Sequence, residues 1–85
     1  MNKVSRKTLE KCRCFTYPSG YKEYRLNGCL HREDGPAVVD EFGVYNNYQR
    51  YSWYLNGIKY NEKDYFKELY RRGLITFEEL FLHLL

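Results

Sequence analysis

The chain has 85 residues, 44% of them hydrophobic, which makes one domain (1–85) with a modest core. Three cysteines, an odd number, do not suggest a disulfide framework, and no apolar stretch is long enough to span a bilayer, so a reduced, cytoplasmic protein without membrane contact is expected. The net charge of +3 is placed at one end: Lys3, Arg6, Lys7, Lys11 and Arg13 stand against Glu10 in residues 1–15, whereas residues 16–85 hold nine basic and ten acidic side chains.

Residues 1–11 therefore read as a basic N-terminal arm, suited to polyphosphate or to an acidic protein surface, or simply solvated. Met1 to Glu10 contains no apolar run, so no signal peptide is expected.

Residues 12–60 read as an antiparallel β-meander of four or five short strands built from two hairpin repeats. Glu23-Tyr24-Arg25-Leu26-Asn27-Gly28 aligns with Ser52-Trp53-Tyr54-Leu55-Asn56-Gly57 at an offset of 29, and Cys14–Gly20 aligns with Ala37–Gly43 at an offset of 23. The six-residue difference falls in a tyrosine-rich insertion, Val44 to Tyr51. Asn-Gly between β-forming residues predicts a type I′ hairpin turn, because both residues tolerate positive φ. Pro18-Ser19-Gly20 and Glu41-Phe42-Gly43 supply the opposite turns. Strand alternation places Tyr24 and Leu26 on one face with Glu23 and Arg25 on the other, and Trp53 and Leu55 inward with Tyr54 outward.

Residues 61–85 change period and read as two helices forming a lid. Asn61 caps the first, which runs through Tyr65, Phe66, Leu69 and Tyr70 to Arg71-Arg72 and stops at Gly73. Thr76-Phe77-Glu78-Glu79 is a capping-box pattern opening the second. Its stripe of Phe77, Leu80, Phe81, Leu84 and Leu85 is expected to cover the open face of the sheet, with a homodimer contact as the competing use. The predicted fold class is thus α+β: a small antiparallel β-meander of two hairpin repeats followed by two C-terminal helices.

Tyr24 to Val38 resembles a hairpin repeat of tailed-phage and some bacterial proteins, W-Y-x-N-G-x-L-H-R-E-D-G-P-A, itself similar to MORN repeats. Leu30-His31-Arg32-Glu33-Asp34-Gly35-Pro36-Ala37 matches closely, and with the second copy the resemblance covers about residues 14–66. The second copy departs from it, with Ile58-Lys59-Tyr60-Asn61-Glu62-Lys63 in place of the His-Arg-Glu-Asp run. The resemblance implies a phage-type scaffolding or recognition unit, not a reaction. Small phage proteins of this kind inhibit or redirect host machinery, and some are anti-defence factors that block toxin nucleases.

Three clusters invite a chemical reading. His31, Arg32, Glu33 and Asp34 put a potential base beside carboxylates. They sit in one turn, however, and in the repeat they read as structural, with Arg32 and Glu33 pairing across strands, so no catalytic residue and no enzyme activity is expected. Cys12, Cys14, Cys29 and His31 form a possible Cys₃His zinc set with atypically close cysteine spacing; buried reduced cysteines are the expected outcome, with no metal or other cofactor. Tyr45, Tyr48 and Tyr51, interleaved with Asn46, Asn47, Gln49 and Arg50, suit base stacking and edge contacts to single-stranded RNA. Phosphate contacts would come from Lys3, Arg6, Lys7, Lys11, Arg13, Arg25, Arg71 and Arg72. The sequence thus predicts a non-enzymatic accessory protein that binds RNA and acts on a host protein. The alternative is a protein–protein adaptor or inhibitor without nucleic-acid binding, since Tyr and Arg also dominate protein interfaces.

Overall fold

The two Asn-Gly pairs adopt the left-handed conformations their turns require, with φ of 53° at Asn27 and Asn56, 85° at Gly28 and 83° at Gly57. They organise a computed structural model that describes residues 12–43, 45 and 49–85. Six strands are present among the described residues: β1 (Cys12–Thr16), β2 (Lys22–Leu26), β3 (Cys29–Leu30), β4 (Val38–Val39), β5 (Tyr51–Leu55) and β6 (Ile58–Tyr60). All their pairings are antiparallel, in the order β1-β2-β4-β5-β6, with β3 also on β2.

The strand count exceeds the expected four or five because one lane of the sheet is interrupted. β3 and β4 share the same edge of β2, and the chain between them leaves the sheet and returns. Tyr24 closes the neck of this excursion: its carbonyl accepts from the His31 N–H at 2.9 Å and its N–H donates to the Ala37 carbonyl at 2.8 Å. On the other side, the Arg32 and Ala37 N–H groups donate to the carbonyls of Tyr54 and Ser52.

Helix α1 (Glu62–Arg71) starts where expected, the Asn61 side chain accepting from the Asp64 N–H at 2.8 Å. It ends in a Schellman motif: Leu74 N–H donates to the Leu69 carbonyl, Gly73 N–H donates to the Tyr70 carbonyl, and Gly73 takes a φ of 77°. Its inner face buries Tyr65 and Leu69 against Leu55, with Trp53, Tyr60, Phe66, Leu74 and Ile75 packed around them. Each fully buried leucine there contributes about 1.5–3 kcal/mol. The inward alternation of Trp53 and Leu55 matches the sequence reading, and so does the separation of Tyr24 and Leu26 from Glu23 and Arg25.

Helix α2 (Phe77–Leu84) opens with the predicted capping box, Thr76 and Glu79 each accepting from the other's backbone N–H. Its expected place over the sheet is corrected. The sheet is covered by α1, and α2 packs against α1 instead. Of the apolar stripe only Leu80 is buried; Phe77, Phe81 and Leu85 are exposed. Once α1 has filled the area over β5 and β6, the short connection through Leu74–Thr76 returns α2 beside α1 and not onto the remaining strands.

Candidate binding surfaces

The His31–Pro36 excursion is held by a dense set of local hydrogen bonds. His31 is 1% exposed. Its Nδ1 accepts from the Asn56 N–H at 2.8 Å, so the ring hydrogen sits on Nε2, which donates to Glu33 Oε2 at 3.0 Å. Arg32 pairs with Asp34 at 2.9 Å, donates to the Pro36 carbonyl and lies over the Tyr24 ring at 3.9 Å. The cross-strand pairing of Arg32 with Glu33 is therefore corrected: both partners are local, because the excursion curls back on itself. Tyr65 secures it from α1, its hydroxyl donating toward the carbonyls of Arg32 and Gly35 and accepting from the Gly35 N–H. Burial pushes the Tyr65 hydroxyl above the usual phenol range.

The cysteines do not converge on this histidine's ring. Cys12 donates to the His31 carbonyl at 3.6 Å, and burial, with Glu33 and Asp34 nearby, pushes its thiol up. Both His31 ring nitrogens are engaged elsewhere. Among the described residues, no group of three His, Cys, Asp or Glu side chains is placed to hold a metal ion.

An aromatic cluster occupies the sheet end opposite the Asn-Gly turns. Tyr21 packs edge-on against Tyr17 at 5.5 Å and Tyr45 at 4.8 Å, and the three line a cavity of about 370 Å³. Buried Asp40 accepts from the Tyr45 N–H at 2.9 Å, tying the insertion to the sheet. The Tyr21 hydroxyl donates to Glu23 at 2.9 Å, and burial followed by this carboxylate pushes it up to about 12. Tyr51 is exposed on β5, with Arg50 exposed just before it. Lys3, Arg6, Lys7, Lys11 and Tyr48, with Asn46 and Asn47, lie outside the described residues.

Three nominated arginines already hold carboxylates. Arg25 pairs with Glu23 at 3.0 Å and donates to the Gly28 carbonyl. Arg71 and Arg72 both grip Glu68, and Arg72 also donates to the Asn56 side chain at 2.8 Å. The two guanidinium groups hold Glu68 well below the usual carboxylate range, at about 2. Among the described residues Arg13 and Arg50 have no ion-pair partner. Arg13 and Phe15 lie with Glu23 and Arg25 on the face of the sheet that α1 does not cover.

Helix α2 carries a run of exposed apolar side chains. Phe77, Phe81, Leu82 and Leu85 are 59%, 53%, 67% and 83% exposed. Tyr70 of α1 extends the ridge, its ring 6.0 Å from Phe77, which is 6.4 Å from Phe81.

Comparison with protein-family models, curated proteins and solved structures finds no match for this chain. No helix among the described residues is long and apolar enough to cross a membrane.

The sequence reading singled out Tyr45, Arg50 and Tyr51 but not Tyr17 and Tyr21, which flank the Pro18-Ser19-Gly20 turn and pack in the cluster with Tyr45. Their signal was present: two tyrosines bracketing a tight turn are brought edge to edge by it. The α2 ridge was visible as an apolar stripe, but its exposure follows only from where α1 sits.

Proposed function

We propose that this chain is a non-enzymatic recognition module that docks a protein partner through the α2 ridge and acts as an adaptor or inhibitor. The observation that carries the reading is the exposure of Phe77, Phe81, Leu82 and Leu85 on one eight-residue helix. Contiguous apolar surface of this kind costs hydration free energy in a lone protein and is removed from water at an interface. The pairing of Arg25, Arg71 and Arg72 with carboxylates supports the same choice, since a phosphate would have to displace each carboxylate. The phage-repeat resemblance of Leu30 to Ala37 makes a host protein, including a defence nuclease, the expected class of partner.

A second reading, RNA binding, rests on Arg13 and Phe15, exposed together on the face of the sheet that α1 does not cover. Paired variants separate the two. Replacing Phe81 and Leu82 by lysine should abolish partner retention after nuclease treatment, while Arg13→Gln with Phe15→Ala leaves it intact. The reverse pattern would replace the protein reading with the RNA one.

A further inference from the structure

A cavity of about 340 Å³ lies where the excursion, α1, the inter-helix connection and α2 meet. Its apolar walls are Phe66, Leu69, Leu74 and Ile75, and its polar walls are Glu33, Asp34, Glu79 and His83. The carboxylates do not have equal needs. Asp34 already faces Arg32. Glu79 uses one oxygen to accept from the Thr76 N–H at 2.8 Å. Glu33 is only 9% exposed, and although its Oε2 accepts from His31, its Oε1 is buried without a hydrogen-bond partner among the described residues.

A buried carboxylate oxygen without a donor costs free energy, and His31 does not offset it, because its second ring nitrogen is already spent on the Asn56 N–H. The nearest guanidinium, Arg32, is turned away onto Asp34, the Pro36 carbonyl and the Tyr24 ring. The site thus combines an excess of negative charge with an aliphatic and aromatic wall. A small organic cation on an apolar stem fits both: its charged head lies at the carboxylate wall of Glu33, Asp34 and Glu79, and its methylenes lie along Leu69, Leu74 and Ile75. A bare metal ion fits less well, since no three ligand side chains converge among the described residues.

We infer that this cavity is a binding site for an alkylammonium or guanidinium group, supplied either as a free amine or as a lysine or arginine side chain. The site is independent of the α2 ridge. Phe77 and Phe81 lie to one side of buried Leu80 around the helix, Glu79 and His83 to the other.

The test is an amide chemical-shift titration of the whole protein with n-butylammonium chloride, with n-butanol as neutral isostere and N-acetyl-lysine amide as the peptide-borne arm. Saturable shifts at Glu33, Leu69, Leu74 and His83 with both cations and none with n-butanol are expected. Tighter binding of the lysine derivative assigns the ligand to a protein side chain, and tighter binding of n-butylammonium assigns it to a free amine. Glu33→Gln keeps the volume and an acceptor for His31, and should weaken the cation by about tenfold or more. Glu79→Gln preserves the capping box and provides a second variant should Glu33→Gln fail to fold. Equal response to n-butanol, no response to either cation, or undiminished binding in the folded variants would overturn the assignment.

Discussion

The Tyr65 phenolic oxygen on α1 lies 3.0 Å from the Gly35 carbonyl oxygen, thirty residues back along the chain. The same hydroxyl donates to the Arg32 carbonyl and accepts from the Gly35 N–H, so one buried oxygen ties the helix to the interrupted lane of the sheet. Tyr65→Phe keeps the ring in the core and strands these backbone groups, which should cost about 1–3 kcal/mol. In a domain of this size each 1 kcal/mol lowers Tm by roughly 4–8 °C, so thermal unfolding followed by circular dichroism resolves the loss. An unchanged Tm would mean that water replaces the hydroxyl without cost.

His31→Ala should destabilise the fold by about 2–4 kcal/mol in urea unfolding, because it orphans the Asn56 N–H and Glu33 Oε2 and leaves a cavity. Partner retention by the folded fraction should be unchanged, as His31 is 1% exposed. Loss of binding without loss of stability would place His31 in a functional site instead.

Much of this fold is legible in the sequence because its local signals agree with one another. The Asn-Gly turns, the Asn61 cap, the Gly73 stop and the Thr76–Glu79 capping box each rest on a few neighbouring residues, and each appears where the residues place it. What was not legible depends on contacts across the chain. The hold of Tyr65 on the Arg32 and Gly35 backbone spans thirty residues or more, and α2's position depends on how much sheet α1 already covers. Which arginines hold carboxylates was not legible either, although these partners are close in sequence. Glu68 lies within a turn of Arg71 and Arg72, but a sequence does not say that one carboxylate holds both.

Glu68 gives the fold an acid-sensitive point. Its folded-state pKa is depressed to about 2, chiefly by Arg71 and then Arg72. The pairing therefore stabilises α1 above the ordinary glutamate value of about 4.3 and is lost as pH falls through that value toward the folded one. The difference in Tm between wild type and Glu68→Gln should be constant from pH 7 to pH 5 and shrink as pH falls further. A difference that stays constant down to pH 2 would show that the ion pair contributes nothing.

Lysine at Leu82 and Leu85 should leave stability within about 0.5 kcal/mol of wild type, because both side chains are mostly exposed and cations suit the end of a helix. Partner capture should fall by at least tenfold. A large drop in urea stability would show instead that these leucines pack within the monomer.

Site-specific photocrosslinking tests the central claim most directly. A benzophenone side chain is placed at residue 82 on the α2 ridge or at residue 13 on the sheet face that α1 does not cover, and the chain is irradiated in its native lysate. A discrete protein adduct at residue 82 that survives nuclease digestion, with none at residue 13, is the predicted result; an adduct of twice the 10.4 kDa chain mass would identify the partner as a second copy. A nuclease-sensitive adduct at residue 13 with nothing at residue 82 would contradict the account.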